Sequence, residues 1–240
     1  MKLPKLQTLA FLGLMVAIGV VISQVFSIAM PTIKFGLGYL TIILASVFFG
    51  PLAGAIVGAT QDLLGFFLFV GDHFYFGFTF NAILYGVLSY YLIRFARNIQ
   101  SKWLFWLNNA IAFSLIPLLI WFAFDVDLVR ASALTIETKY LLIICGIVAA
   151  LALIIFNFLI RKRDKDATYP QTSILFTVMI LYMIVSLGLT PLWIYQLYGV
   201  PYWGQLPFRL VKMPLEVIAY AAILRPLFKA IDGMIRKLDN

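Results

Sequence analysis

Charge is scarce: only 12% of the 240 residues are charged, while 63% are hydrophobic and mean hydropathy is +1.01. A soluble domain usually carries about twice that charge, so a water-exposed globule is excluded. Cysteine is almost absent. Cys145 stands alone inside an apolar block, so no intrachain disulfide can form and the redox compartment is not readable. His73 is the only histidine, which argues against a zinc site of the usual His/Cys type and leaves no metal or other cofactor to expect. There is no G-x-x-x-x-G-K-[ST] phosphate loop, so the chain is not itself an ATPase of that kind. H-E-x-x-H and G-x-S-x-G are missing too, and the expectation is a protein that is not an enzyme. The two halves show no inverted repeat, which counts against a self-sufficient secondary transporter.

What is present is apolar sequence in blocks of 17 residues or more, long enough to cross a hydrocarbon core of roughly 30 Å. The start has no cleavable-signal pattern, since Met1–Lys5 leads straight into a full-length span. The reading is an all-α polytopic membrane protein, one transmembrane domain over 1–240 with eight helices. They cover roughly 7–29, 38–50, 51–69, 77–96, 103–124, 139–160, 172–197 and 205–224. The second is short and meets the third at Gly50-Pro51, a helix stop followed by a residue suited to a first turn. The net charge of +8 does not point to nucleic acid, because its cations sit in short clusters between apolar blocks. With the amino terminus in the cytoplasm, 13 of the 18 Lys and Arg residues fall inside: Lys2, Lys5, Arg94, Arg97, Lys102, Arg161, Lys162, Arg163, Lys165, Arg225, Lys229, Arg236 and Lys237. Only Lys34, Arg130 and Lys139 fall outside, so both termini are expected to be cytoplasmic.

Four ionisable residues fall within spans: Asp62, Arg209, Lys212 and Glu216. Each costs several kcal/mol facing lipid, so they are expected to face one another or a cavity. Arg209, Lys212 and Glu216 share one helix face by their spacing, and Glu216 can pair with Lys212 across i, i+4. Arg209 lies about 6 Å and Lys212 about 10 Å below the outer end of the last helix, and Asp62 lies near the membrane centre. Two uses compete for this set: an internal ion-pair network that locks helices, or an outward-open cavity for a carboxylate-bearing ligand. Eight aromatic residues crowd the fifteen positions from Phe66 to Phe80, where the chain average of 16% gives about two. Trp193, Tyr195, Tyr198, Tyr202, Trp203 and Phe208 form a second cluster. Both lie at the outer end in the assigned topology. An interfacial belt decorates both ends, so one-sided clusters beside cations suit a planar ring with an anionic tail. Gly50, Gly54, Gly58 and Asp62 recur every four residues, a smooth stripe for helix contact, and Ala10, Gly13 and Ala17 form a similar small face.

Phe49-Gly50-Pro51-Leu52-Ala53-Gly54-Ala55, Asp62-Leu63-Leu64-Gly65 and Gly77-Phe78-Thr79 resemble the substrate-binding (S) subunits of energy-coupling-factor (ECF) vitamin transporters. Leu192-Trp193, Leu197-Tyr198-Gly199, Leu206-Pro207 and Arg209-Leu210-Val211-Lys212 look most like the folate-specific subfamily. The match covers roughly 7–97 and 171–225. It implies a six-helix subunit that captures its vitamin from outside and works with a transmembrane coupling protein and two cytoplasmic ATPases. Residues 103–161 would then be an inserted helix pair. The substrate-binding set it implies is Asp62, Phe69, Phe78, Thr79, Asn81, Trp193, Arg209 and Lys212, with loops Ser27–Gly38 and Val70–Gly77 closing over the ligand. Ala10, Gly13 and Ala17 would dock the coupling protein. Val70 and Phe76 stand where the family often has proline, and Gly13 where alanine is expected. Another vitamin or precursor, such as pantothenate, a structural or assembly protein of the membrane, and a membrane enzyme remain open alternatives.

Overall fold

The computed structural model describes residues 5–25, 27–29, 34–70, 74–124, 136–161 and 169–238. Eight helices follow in chain order. They are α1 (Lys5–Gln24), α2 (Leu40–Phe49), α3 (Pro51–Gly65, prolonged as a π-helical turn Phe66–Val70), α4 (Phe76–Asn98), α5 (Ser101–Phe124) and α6 (Ile136–Arg161). α7 runs Gln171–Leu181, widens to a π-helix over Tyr182–Leu189 and returns to α over Thr190–Tyr198; α8 is Tyr202–Leu238. Among the described residues, six helices are long and apolar enough to cross a membrane: α1, the α3 segment, α4, α5, α6 and α7. The eight helices expected from the sequence are thus present, six of them meeting this length and apolarity. α2, with ten residues, is about 15 Å long, half a hydrocarbon core. α8 is long enough at 37 residues but carries the buried charges.

Two boundaries differ from the sequence expectation. The first helix, expected to reach 29, stops at Gln24, and Ile28–Ala29 (β1) pairs antiparallel with Lys34–Phe35 (β2). This short ladder satisfies backbone groups where the helix has ended. The last helix, expected to end at 224, continues to Leu238. Pro226 costs a helical hydrogen bond, but Phe228 and Ile231 beyond it are buried, Phe228 edge-to-face on Phe48 at 5.8 Å. Burying one such side chain contributes about 2 kcal/mol, enough to offset much of the break.

The chain divides into two compact units. One holds α1, α2, α3, α4 to Phe95 and α8 from Tyr220; the other holds α4 from Ala96, then α5, α6, α7 and α8 to Ala219. In the first, α1, α2 and α3 pack on one another. Gly50 takes φ +98°, open to glycine at little cost, and Pro51 starts α3 in its first turn. The glycine stripe is a packing seam. A Cβ on Gly54 would meet Ser46 and the Gly86 carbonyl, one on Gly58 the Ala82 carbonyl, and one on Gly86 the backbone of Gly54 and Ala55. Gly86→Ala is expected to lower stability by about 1–3 kcal/mol, because backbone cannot yield to the added methyl. A thermal-unfolding series in detergent checks this, and an unchanged melting temperature would contradict the seam.

In the second unit α5 packs on α6 and α7, and α6 on α7. Buried asparagines tie these helices: Asn108 Nδ2 donates to the Thr172 carbonyl at 3.1 Å and Asn157 Nδ2 to the Phe105 carbonyl at 3.0 Å. Such bonds add to association in lipid, where apolar surface alone gives no preference for a neighbouring helix. Trp103 and Trp106 are exposed near the start of α5 and Trp121 near its end. Eighteen residues of rise between Trp103 and Trp121 give about 27 Å, the spacing of two membrane interfaces.

Candidate functional site

In the first unit the α3–α4 seam delivers a polar pair one turn beyond Gly58. Thr79 Oγ1, buried, donates to Asp62 Oδ2 at 2.7 Å. Two of the expected site residues are thus brought together. Asn81 is buried on α4 at 1% exposure, and Phe78 is half-buried, edge-to-face on Tyr75 at 6.0 Å. Phe69 is 55% exposed near the end of the π turn. The aromatic cluster is real, with Phe66, Phe67 and Phe74 in mutual contact at centroid distances of 5.3–6.2 Å. Residues 71–73 of one expected closing loop, and 30–33 of the other, lie outside the described residues.

Beside Asp62 the sequence reading missed Gln61, which is buried. Its Oε1 accepts from Thr41 Oγ1 at 2.8 Å and its Nε2 donates to the Gly38 carbonyl at 2.7 Å. A Cβ on Gly19 would overlap Gln61 and Thr41, so α1 must present glycine there. A glutamine amid apolar residues was the available signal. Tyr39 stacks on Tyr85 at 3.9 Å with 7° between the rings, and its N–H donates to Tyr220 Oη at 3.2 Å.

In the second unit α7 and α8 meet along a polar seam whose cause is Pro191. Proline has no N–H, and within a helix changing from π to α it leaves the carbonyls five and four residues earlier without that donor. Those are Ser186 and Leu187. Arg209 Nη1 donates to the Ser186 carbonyl at 3.2 Å, and Tyr202 Oη to the Leu187 carbonyl at 2.9 Å. Gln205 Nε2 donates to the carbonyls of Pro191 and Val200 at 3.2 and 3.1 Å, holding the turn. Tyr182 Oη donates to the Arg209 carbonyl at 3.2 Å, and Lys212 Nζ lies 5.9 Å from the Tyr182 ring centre. Lys212 pairs with Glu216 at 2.9 Å, the i, i+4 contact read from the spacing. Arg209 and Lys212 are 3% and 4% exposed. Trp193 is half-buried on the same helix as Ser186. Sequence reasoning named Arg209 but not its carbonyl partner; a proline five residues after Ser186 was the clue.

A guanidinium carries five N–H donors in a rigid fork and suits carboxylates, while a carboxylate held by a threonine hydroxyl suits ligand N–H donors. Among the described residues no three His, Cys, Asp or Glu side chains gather as metal ligands. On α1, Ala10, Gly13 and Ala17 are all exposed, and nothing lies within 4 Å of a Cβ built on Gly13.

Known proteins place this arrangement. A crystal structure described as FolT bound with folic acid has the same fold, with a TM-score of 0.54 over 92% of this chain and 95% of that one. At 19% identity that likeness concerns the fold alone. The folate transporter FolT of Clostridium novyi (strain NT) is 33% identical over 90 residues, 36% of this chain and 52% of that protein. The match thus spans about half the length of that curated relative. The family model described as ECF-type riboflavin transporter, S component, matches residues 3–161, about two thirds of the chain, α5 and α6 included. A helical membrane bundle fits that description, and the chain belongs to the family of ECF-type riboflavin transporter S components.

Proposed function

We propose that this S component captures folate, or a closely related vitamin with a planar ring and an anionic tail, from outside the cell for ATP-driven uptake. The observation that supports the reading is the resemblance to a folate transporter, together with a part-buried Asp62–Thr79 hydrogen bond in one unit and the buried cations Arg209 and Lys212 in the other. A transmembrane coupling subunit and two ATPase subunits supply the energy, which agrees with the missing phosphate loop. Riboflavin is the second reading, favoured by the description of the matching family. Mass spectrometry of the small molecule that co-purifies with the chain decides between them. A folate supports the proposal, a flavin replaces it, and pantothenate or no small molecule removes it.

Both termini are cytoplasmic in this reading, from the 13-to-3 distribution of Lys and Arg. With the exposed Cys145 first replaced by serine, single cysteines at Asp125–Glu137 and Gly71–Tyr75 are expected to react with an impermeant maleimide from outside. Cysteines at Lys162–Asp166 are expected to stay unreactive. Labelling of 162–166 from outside would overturn the topology. Most of these loop positions lie outside the described residues.

A further inference from the structure

Arg209 is held by α7 at both its backbone and its side chain. Tyr182 Oη donates to the Arg209 carbonyl at 3.2 Å, and one turn further along α7 the Ser186 carbonyl accepts from Arg209 Nη1 at 3.2 Å. That second acceptor exists because of one residue. In a π-helix each N–H reaches back five residues, as the Thr190 N–H does here to the Val185 carbonyl. The next step would run from residue 191 to Ser186, and Pro191 has no N–H to give. Pro191, Tyr182 and Arg209 are all buried, a setting in which an unmet carbonyl is costly.

On α8, Gln205, Arg209, Lys212 and Glu216 are spaced four, three and four apart and form a polar stripe. Pro191 meets this stripe twice. Its own carbonyl accepts from Gln205 Nε2 at 3.2 Å, and the carbonyl it leaves open accepts from Arg209. An arginine side chain has many rotamers, and a fixed acceptor on Nη1 selects among them before any ligand arrives.

We propose that Pro191 is a positioning residue for Arg209: by withholding one N–H it reserves the Ser186 carbonyl for the guanidinium, and so pre-sets the cation that takes the ligand carboxylate. The effect on ligand rests on the folate reading above; the reservation of the carbonyl does not. Pro191 acts through Arg209 rather than on the ligand. Pro191→Ala and Pro191→Val both return an N–H to α7, and valine also keeps close to the volume of the proline ring. With Ser186 then satisfied inside α7, the guanidinium regains its rotamers, and folic acid is expected to bind roughly tenfold more weakly in both variants.

The experiment titrates folic acid into the purified full chain as wild type, Pro191→Ala and Pro191→Val. In parallel, ligand-free melting temperatures are measured for wild type, Arg209→Ala, Pro191→Val and the double variant. Two results are expected: weaker binding in both proline variants, and a smaller loss of melting temperature from Arg209→Ala when residue 191 is valine. The second follows because the Ser186 carbonyl then has its own backbone donor and is no longer orphaned. An equal loss in the two backgrounds overturns the proposal, since the carbonyl was not reserved. Weaker binding in Pro191→Ala but not in Pro191→Val overturns it as a packing defect. A smaller loss with unaltered folic acid affinity overturns the link to ligand. If wild type does not bind folic acid, the folate reading fails separately. The melting temperatures then decide the positioning role alone, by the same comparison.

Discussion

Replacing Arg209 by alanine is expected to weaken vitamin binding by about 2–5 kcal/mol, or roughly 30- to 5,000-fold, in isothermal titration of the purified subunit. The argument has two parts. Arg209 is 3% exposed on the polar stripe of α8, next to a lysine whose charge is matched by Glu216. In the proposed reading its guanidinium meets a ligand carboxylate. It also donates to the Ser186 carbonyl that Pro191 leaves without a backbone donor, so alanine orphans that carbonyl and lowers stability by about 1–3 kcal/mol. Loss of stability is common to both uses of the residue and decides nothing. Affinity decides. Arg209→Lys can still reach a carbonyl as a point donor but loses the planar fork, so it should recover stability more fully than affinity. If Arg209→Ala binds the vitamin as tightly as wild type, the side chain serves the helix seam alone and the anion-binding role is withdrawn.

Uptake by cells carrying Gly13→Leu or Ala17→Leu is expected to fall steeply, while the isolated subunit binds vitamin with nearly normal affinity. Gly13 and Ala17 are exposed, and an added Cβ at Gly13 meets nothing within 4 Å, so the subunit's own fold tolerates the larger side chain. A docked helix would not, because close approach relies on small residues. Overpacking there costs about 1–3 kcal/mol, a 5- to 150-fold weaker docking to the coupling protein. Radiolabelled vitamin uptake in whole cells and titration of the purified subunit give the two halves of the test. An equal loss of affinity would place this face at the ligand and end the docking assignment.

The structure divides the small-residue stripes into two kinds that periodicity alone could not separate. Gly54 and Gly58 on α3 are consumed within the subunit, against Gly86 and Ala82 of α4. Gly13 on α1 is left open. Spacing of four marks a smooth face in either case, and what covers that face depends on how each helix is rotated about its axis. Phe69 and Phe78 show the same division. Both belong to one aromatic run, yet one ends 55% exposed and the other half-buried.

The sequence by itself determined what is local. Long apolar runs set the helices, Gly50-Pro51 set the corner between α2 and α3, and the i, i+4 spacing set the Lys212–Glu216 pair. Each of these depends on neighbours within about four residues, where helical geometry is known in advance. Only the tertiary structure decided the partners of Asp62, Gln61, Arg209 and Tyr220. Thr79, Gly38 and Thr41, Ser186, and Gly36 and Tyr39 lie 17 to 184 residues from them. Such pairings follow from helix crossing and rotation, and from a backbone carbonyl that one proline releases in another helix. The far end of α8 was equally illegible: Arg225-Pro226 reads as a helix exit, and only burial of Phe228 and Ile231 makes continuation favourable. Hydrophobic pattern records which residues avoid water, whereas a hydrogen bond between helices records where two backbones meet, and that is a property of the packed molecule.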